Sequence, residues 1–195
     1  LAEENMQEIE RHGGDALLAP VVAAVRAAGF HCVESTVRRC LSCECDQGGH
    51  GAFWSIDPLD GTKGYLRGGQ FAVAVALIEG GTPALAALGL PRLGLHGAGP
   101  GPGVLLGAVR GQGAHQSLAG AWAPQPVHCT DWHPGTPIRL AGSVETSHSS
   151  GDALEAAAGV LGQVHPVRVD SQAKYGLVAR GDADAYLRRS PTPGY

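Results

Sequence analysis

Hydrophobic and polar positions change their period several times along the first two thirds of the chain. Leu17, Leu18, Val21, Val22 and Val25 recur at helical spacing, which predicts a helix over 15–28 that ends at Gly29. Polar residues 6–12 predict a short helix before it. Short apolar runs then predict strands, of which the second and third form a hairpin. These runs cover residues 52–56, 71–79, 84–90, 104–109 and 113–116.

Two stretches have no regular period. Residues 30–51 combine Cys, charged and Gly residues, and we interpret them as a surface loop. Residues 117–137 are polar and contain Pro and Trp, which favours a boundary between domains. The predicted domains are therefore residues 1–132 and 133–195.

After this boundary, strands and helices alternate. The pattern predicts, in order, a strand at 138–143, a helix at 153–161, a strand at 164–169, a helix at 170–179 and a turn into a strand at 181–188. Asp170 or Ser171 is a suitable N-cap for the second helix. The fold class is α/β, of a layered α+β type, with an N-terminal antiparallel sheet and its helices followed by a smaller C-terminal α/β unit. The strand at 52–56 is expected to pair with the strand at 71–79.

Composition narrows the class of function. The 195 residues include 44% hydrophobic residues, enough for a core, and the formal charge of −4 argues against a protein that coats nucleic acid or binds a membrane through basic residues. No apolar run reaches the length of a membrane span. An odd count of five Cys favours a reducing compartment, so we expect an intracellular location, in the cytoplasm or an organelle.

Three of the cysteines, Cys40, Cys43 and Cys45, lie close together in the sequence. A metal site there would need a fourth ligand, for which His31 and His50 are the nearest candidates. The alternative is a loop of incidental thiols, and we favour that interpretation.

The stretch with most chemical content is DPLDGT at residues 57–62. Pro58 cannot donate to a sheet ladder, so the strand is expected to end near Asp57. Asp57 and Asp60 would then lie at a strand end and in the next turn, which suits the oxygen ligands that Mg²⁺ requires. Gly61 allows a close approach of the backbone, and Thr62 adds a hydroxyl. Without further context, the same residues also fit an Asx-Pro turn followed by a helix cap.

The longer run resembles a known family. DPLDGT resembles the signature Asp-Pro-(Ile/Leu)-Asp-Gly-Thr of the lithium-sensitive, magnesium-dependent phosphomonoesterases, the inositol monophosphatase superfamily. The continuation KGYLRGGQFAV at residues 63–73 is similar to the 3′(2′),5′-bisphosphate nucleotidase branch. The resemblance implies the layered sugar-phosphatase fold.

The resemblance also implies a metal site and a catalytic group. Glu3, Asp57, Asp60 and the carbonyl of Leu59 would hold two or three Mg²⁺ ions. Asp60 and the Thr62 hydroxyl would be catalytic, with Thr62 orienting the attacking water.

On the substrate side, the resemblance implies contacts from His148, Ser171, Lys174 and Arg188, together with Gly61 and Thr62. Lys174 and Arg188 would hold the second phosphate. Without the resemblance, Lys174 would be interpreted as an exposed helical lysine, and His148 as a cap or surface residue.

The implied activity is removal of the 3′-phosphate from adenosine 3′,5′-bisphosphate, or from its phosphosulfate, the sulfate donor of sulfate assimilation. AMP and phosphate are the products in the first case. The partner is then a small molecule, not nucleic acid or membrane, and a monomer is expected. One alternative is an inositol phosphate phosphatase.

A second alternative is an inactive homologue that only binds metal or nucleotide. The family has an Asp before the Glu-Glu segment that works with the motif Thr, and a Trp-Asp-His-Ala-Ala-Gly segment after the position of Tyr195. Neither is in this sequence, so the chain resembles such an enzyme truncated at both ends, and the chain alone is expected to be impaired.

Overall fold

Thirteen helices and strands follow one another in a computed structural model that describes residues 9–11, 13–42, 51–144, 159–160 and 162–187. In chain order they are α1 (Asp15–Ala27), α2 (Glu34–Leu41), β1 (Ala52–Asp60), α3 (Thr62–Leu66), β2 (Ala72–Glu79), β3 (Thr82–Leu90), β4 (Val104–Val109), β5 (Gly113–Leu118), β6 (Ala121–Val127), β7 (Ile138–Gly142), β8 (Val164–Arg168), α4 (Ala173–Ala179) and β9 (Ala185–Tyr186). Residues 9–11 and 159–160 are also helical.

The first sheet is an antiparallel meander in which β1 to β6 lie in chain order. Its register places Trp54 opposite Leu77, Leu77 opposite Leu85, and Leu85 opposite Val109. The connections from β2 to β3, β4 to β5 and β5 to β6 are short turns that contain glycine, whereas α3 lies between β1 and β2 and a longer loop joins β3 to β4. The predicted pairing of residues 52–56 with 71–79 is confirmed.

The second sheet is smaller and parallel, with β7 between β8 and β9. Helix α4 lies between this sheet and the first one, and its Ala173 and Leu177 are fully buried. A Cβ on Gly176 would be 2.8 Å from Leu106 Cδ1, so glycine here allows α4 to lie directly against β4. The main core contains Ala72, Leu90, Leu93, Val104, Leu106, Val127, Ala141, Val169, Ala173, Leu177 and Ala183. The layered α/β fold class is therefore confirmed.

Helices α1 and α2 form a separate small cluster in which Leu18, Val22 and Val37 are buried. Helix α1 agrees with the predicted helix. The prediction of a loop over residues 30–51 is wrong for 34–41, because burial of Val37 against α1 stabilises one face of a short helix. Of the helices that the structure describes, none is long and apolar enough to cross a membrane.

Strand β1 is longer than predicted and continues through Pro58 to Asp60. It lies at the edge of its sheet, where a missing N–H can face away from the neighbouring strand. The register also shifts between Asp57, opposite Ala74, and Asp60, opposite Ala72, so Pro58 lies in a bulge. The prediction that the strand ends near Asp57 is therefore wrong, and the bulge determines where the two carboxylates lie.

The polar stretch at 117–137 contains one strand that the sequence did not reveal. Strand β6, Ala121–Val127, is the other edge of the first sheet, where its two prolines are tolerated. The connection from Val127 to Ile138 then leads into the second sheet. The predicted division at residue 132 falls in this connection.

Asp184 forms hydrogen bonds with both this connection and β7. Its carboxylate accepts hydrogen bonds from the Arg139 Nη2 (2.7 Å), the Arg139 backbone N (2.6 Å) and the Thr130 hydroxyl (2.6 Å). The side-chain hydrogen bond from Arg139 is the main reason that the pKa of Asp184 is lowered from 3.8 to about 2. The ionised carboxylate therefore stabilises the fold.

We expect the pH dependence of unfolding to report this carboxylate. Because the pKa is lower in the folded state, its stabilising effect is complete above about pH 4 and is lost as the pH falls towards 2. Asp184→Asn should lower the melting temperature at pH 7. It should also reduce the fall in melting temperature between pH 4 and pH 2, as measured by thermal unfolding from pH 2 to 7. Asp131→Asn, at a side chain that is 97% exposed, is the control and should change neither.

Candidate active site

A cleft of about 810 Å³ lies where the end of β1, the start of α3 and the turn before α4 meet. Most of its lining side chains are polar or charged. They are Asp57, Asp60, Thr62, Lys63, Arg67, Ser143, Asp170, Ser171, Gln172, Lys174, Tyr175 and Tyr186, with Gly61 and Gly64.

Two unusual backbone conformations bring the walls of this cleft together. Gly61 has φ of 86°, and a Cβ there would be 2.7 Å from the Ser171 Cβ. Ser171 has φ of 67°, the only positive φ at a non-glycine position in the described part of the chain. Such a conformation costs energy for a side-chain-bearing residue and recurs at functional sites. The signature turn and the turn before α4 therefore pack directly against each other.

Gln172 connects the two signature carboxylates. Its side-chain Nε2 donates to Asp57 Oδ2 at 3.0 Å, and its backbone N donates to Asp60 Oδ2. Asp57 Oδ1 accepts a hydrogen bond from the Leu59 backbone N at 3.3 Å. One residue from the second half of the chain thus holds both carboxylates, so Asp57 and Asp60 are brought together.

The donor set fits a hard divalent cation. No Lys, Arg or His among the described residues forms an ion pair with Asp57 or Asp60, so these two half-buried carboxylates face the cleft without a directly paired cation. Carboxylate oxygens, a main-chain carbonyl and water are the ligands that Mg²⁺ prefers. A third acidic ligand is not found within the described residues, and the predicted one, Glu3, lies outside them.

Lys174 is the principal cation of the cleft. It is only 7% exposed, and its Nζ lies 3.3 Å from Ser143 Oγ and 3.5 Å from the Val169 carbonyl oxygen. The ammonium also lies 5.5 Å from the centre of the Tyr186 ring, within the range of a cation–π contact. The interpretation of Lys174 as an exposed helical lysine is therefore wrong, because a buried ammonium requires partners.

Of the other predicted substrate contacts, the structure describes Gly61, Thr62 and Ser171, and all three line the cleft. Ser171 is not the N-cap of α4, and neither is Asp170, because the helix is capped at Gln172. Ser171 Oγ instead accepts a hydrogen bond from the Ala173 backbone N at 3.2 Å. His148 and Arg188 lie outside the described residues.

Asp170 connects the signature segment to the residues that follow β7. Its Oδ2 accepts from Arg67 Nη2 at 2.7 Å, and its Oδ1 accepts from the Val144 backbone N at 3.1 Å. Sequence reasoning assigned no role to Arg67, and none to the side chains of Gln172, Tyr175 or Tyr186. Only the position of these residues within or next to the recognised motifs could have indicated a role. The contacts of Arg67 with Asp170 and of Gln172 with Asp57 join residues more than 100 positions apart.

Comparison with known proteins is consistent with this geometry. The model of the inositol monophosphatase family matches residues 19–193. A 3′(2′),5′-bisphosphate nucleotidase of Oryza sativa is 36% identical over 213 residues, covering 100% of this chain and 59% of the rice protein. A 3′(2′),5′-bisphosphate nucleotidase of Schizosaccharomyces pombe is 42% identical over 147 residues, covering 72% of this chain and 42% of the yeast protein.

Solved structures agree in fold. CysQ from Bacteroides thetaiotaomicron, a bacterial member of the inositol monophosphatase family, has a TM-score of 0.59 at 21% identity, covering 82% of this chain and 65% of that one. An inositol monophosphatase from Zymomonas mobilis has a TM-score of 0.56 at 15% identity, covering 91% of this chain and 65% of that one. The chain spans about half the length of the curated relatives it matches. With its family signature at the edge of the cleft and a family match over most of its length, this chain belongs to the inositol monophosphatase family.

Proposed function

We propose that the protein to which this chain belongs is a magnesium-dependent phosphomonoesterase that removes the 3′-phosphate of adenosine 3′,5′-bisphosphate, and of its 5′-phosphosulfate. The observation that carries this proposal is one cleft that contains both an acidic pair, Asp57 and Asp60, and a buried cation, Lys174. The curated relatives named as bisphosphate nucleotidases support the same substrate class. We expect the protein to act as a monomer.

The acidic pair would bind the metal ions that act on the scissile phosphate. Asp57 and Asp60, with Glu3 and the Leu59 carbonyl, are the proposed ligands of two or three Mg²⁺ ions. When bound, Mg²⁺ neutralises the charge that develops on the phosphoryl and leaving oxygens. The Thr62 hydroxyl, at the start of α3 and beside the acidic pair, would accept or donate the hydrogen bond that orients the attacking water.

The buried cation would bind the second phosphate. Lys174 Nζ already has the Ser143 hydroxyl and the Val169 carbonyl as neighbours, so its position is fixed before the ligand arrives. Ser171, in the tight turn next to Gly61, would contact the same end of the substrate. His148 and Arg188 are proposed as further contacts.

Phosphate release from adenosine 3′,5′-bisphosphate and from inositol 1-phosphate tests this proposal. The full-length protein should hydrolyse the bisphosphate with Mg²⁺, and lithium should inhibit it. Activity that survives complete chelation of divalent metal would exclude the mechanism. Equal turnover of both substrates would favour the inositol phosphate alternative and remove the nucleotidase assignment. No turnover of either, by a protein that contains both missing family segments, would favour an inactive homologue.

Gln172→Ala is expected to weaken divalent-cation binding, because Asp57 loses the side-chain amide that positions it beside Asp60, whereas the backbone N–H that contacts Asp60 is retained. Groups that orient metal ligands are typically worth about 10–100-fold in metal affinity. Calorimetric titration with Mg²⁺ and Mn²⁺ measures this directly. The matched control is Gln163→Ala, an exposed glutamine before β8, which should leave the affinity unchanged. If both variants bind the cations as the wild type does, Gln172 does not position the carboxylates.

A further inference from the structure

A second cavity, of about 290 Å³, lies beside the candidate active site and shares Arg67 and Asp170 with it. Three arginines line it: Arg67 from the end of the signature segment, Arg92 after β3, and Arg168 at the end of β8. Three separate parts of the chain therefore contribute an arginine to the lining of one small cavity.

The described residues balance the positive charge of this cavity only in part. Asp170 is the one acid among the described lining residues, and its two oxygens already accept hydrogen bonds from Arg67 Nη2 and the Val144 backbone N. Arg168 donates one hydrogen bond, from Nη1 to the Ser143 carbonyl at 3.2 Å. In the described part of the chain, the Arg92 side chain has no hydrogen bond or ion pair, and its guanidinium lies 5.8 Å from the centre of the Phe71 ring.

Guanidinium groups in this arrangement favour an oxyanion. Like charges that share a small, partly enclosed space repel one another, and a bound anion removes that cost. Each guanidinium presents several N–H donors in a planar fork that matches phosphate or sulfate, and Arg92 and Arg168 retain such donors. The cavity is large enough for a phosphate group with its bound water.

We propose that the cavity lined by Arg67, Arg92 and Arg168 binds a tetrahedral oxyanion, either inorganic phosphate or the phosphate group of a monoester. The site is separate from the acidic pair and from Lys174, and it does not depend on the proposed function. Asp170 contacts both spaces, so the bound phosphate would lie on the other side of the Arg67–Asp170 ion pair from the substrate cleft.

Calorimetric titration of the full-length protein with inorganic phosphate tests this, with a chelator present so that no divalent ion contributes to binding. Arg92→Ala/Arg168→Ala should weaken phosphate binding by roughly 100-fold, because each removes a charge-assisted contact. The control is Arg110→Ala, whose guanidinium only contacts the Pro83 and Thr82 carbonyls at the far end of β3. It should bind phosphate as the wild type does. Thermal unfolding of each variant shows that it is folded.

Further titrations locate the site and identify its ligand. Lys174→Ala should retain phosphate binding, and Arg92→Lys/Arg168→Lys, which keeps the charge but loses the fork, should give an intermediate affinity. Tighter binding of AMP than of phosphate, lost in Arg92→Ala/Arg168→Ala and kept in Lys174→Ala, would identify a monoester as the ligand, and the reverse order would identify free phosphate. Unchanged binding in the double alanine variant, or loss of binding in Lys174→Ala, would overturn the proposal.

Discussion

Asp60→Asn is expected to abolish phosphate release by the full-length protein. The amide that replaces the carboxylate is neutral and is a poor ligand for Mg²⁺, which prefers charged oxygens. Its NH₂ group would also face the Gln172 backbone N–H, a donor that now contacts Asp60 Oδ2, so the new side chain would rotate or lose this contact. The loss should exceed the roughly 10–100-fold effect that is typical of residues that only orient the metal ligands.

Two measurements distinguish this result from simple unfolding. Cation titration should show loss of Mg²⁺ affinity, whereas thermal unfolding in a chelator should show a melting temperature close to that of the wild type. Asp131→Asn makes the same chemical change at an exposed side chain outside the cleft and should retain full activity. An Asp60→Asn variant with wild-type turnover and Mg²⁺ affinity would exclude Asp60 as a metal ligand.

The first five strands of the meander could be predicted from sequence, because most of them are short apolar runs next to a glycine or a proline. Local patterns determine such strands, and the hairpins β2–β3 and β4–β5 need only short turns. The predictions are wrong where tertiary contacts determine the secondary structure. Val37 makes α2 a helix by packing on α1, and the edge position of β1 allows it to continue through Pro58.

The candidate site could be predicted only where the family resemblance assigns its residues, which include Ser171 and Lys174 near the start of α4. Asp57, Asp60, Gly61 and Thr62 form a continuous signature, and all four line the cleft. The contacts of Gln172 with the acidic pair span 112 and 115 positions, and no periodicity or spacing indicates them. The arginine cavity is similar, since Arg67, Arg92 and Arg168 are unremarkable in sequence and become a cluster only in the folded chain.

Lys174→Met should raise KM for adenosine 3′,5′-bisphosphate and leave kcat within a few-fold of the wild type. A hydrogen bond to a charged group contributes about 1.5–3 kcal/mol, which corresponds to roughly 10–150-fold in KM if Lys174 holds the second phosphate. Methionine has a similar length and no charge, so it fills the buried space next to Tyr186 and the variant should fold. Lys174→Ala removes the same charge and also the packing, and it should show the same KM effect with a lower melting temperature.

The substrate that lacks the second phosphate provides the internal control. Adenosine 3′-monophosphate has no 5′-phosphate for Lys174 to bind, so its KM should be the same for wild type and Lys174→Met. A change in KM for the bisphosphate alone would identify Lys174 as a binding group, because an interaction made only in the transition state would lower kcat instead. Equal KM changes for both substrates would show that Lys174 supports the shape of the cleft through Ser143 and Val169 and does not bind the second phosphate.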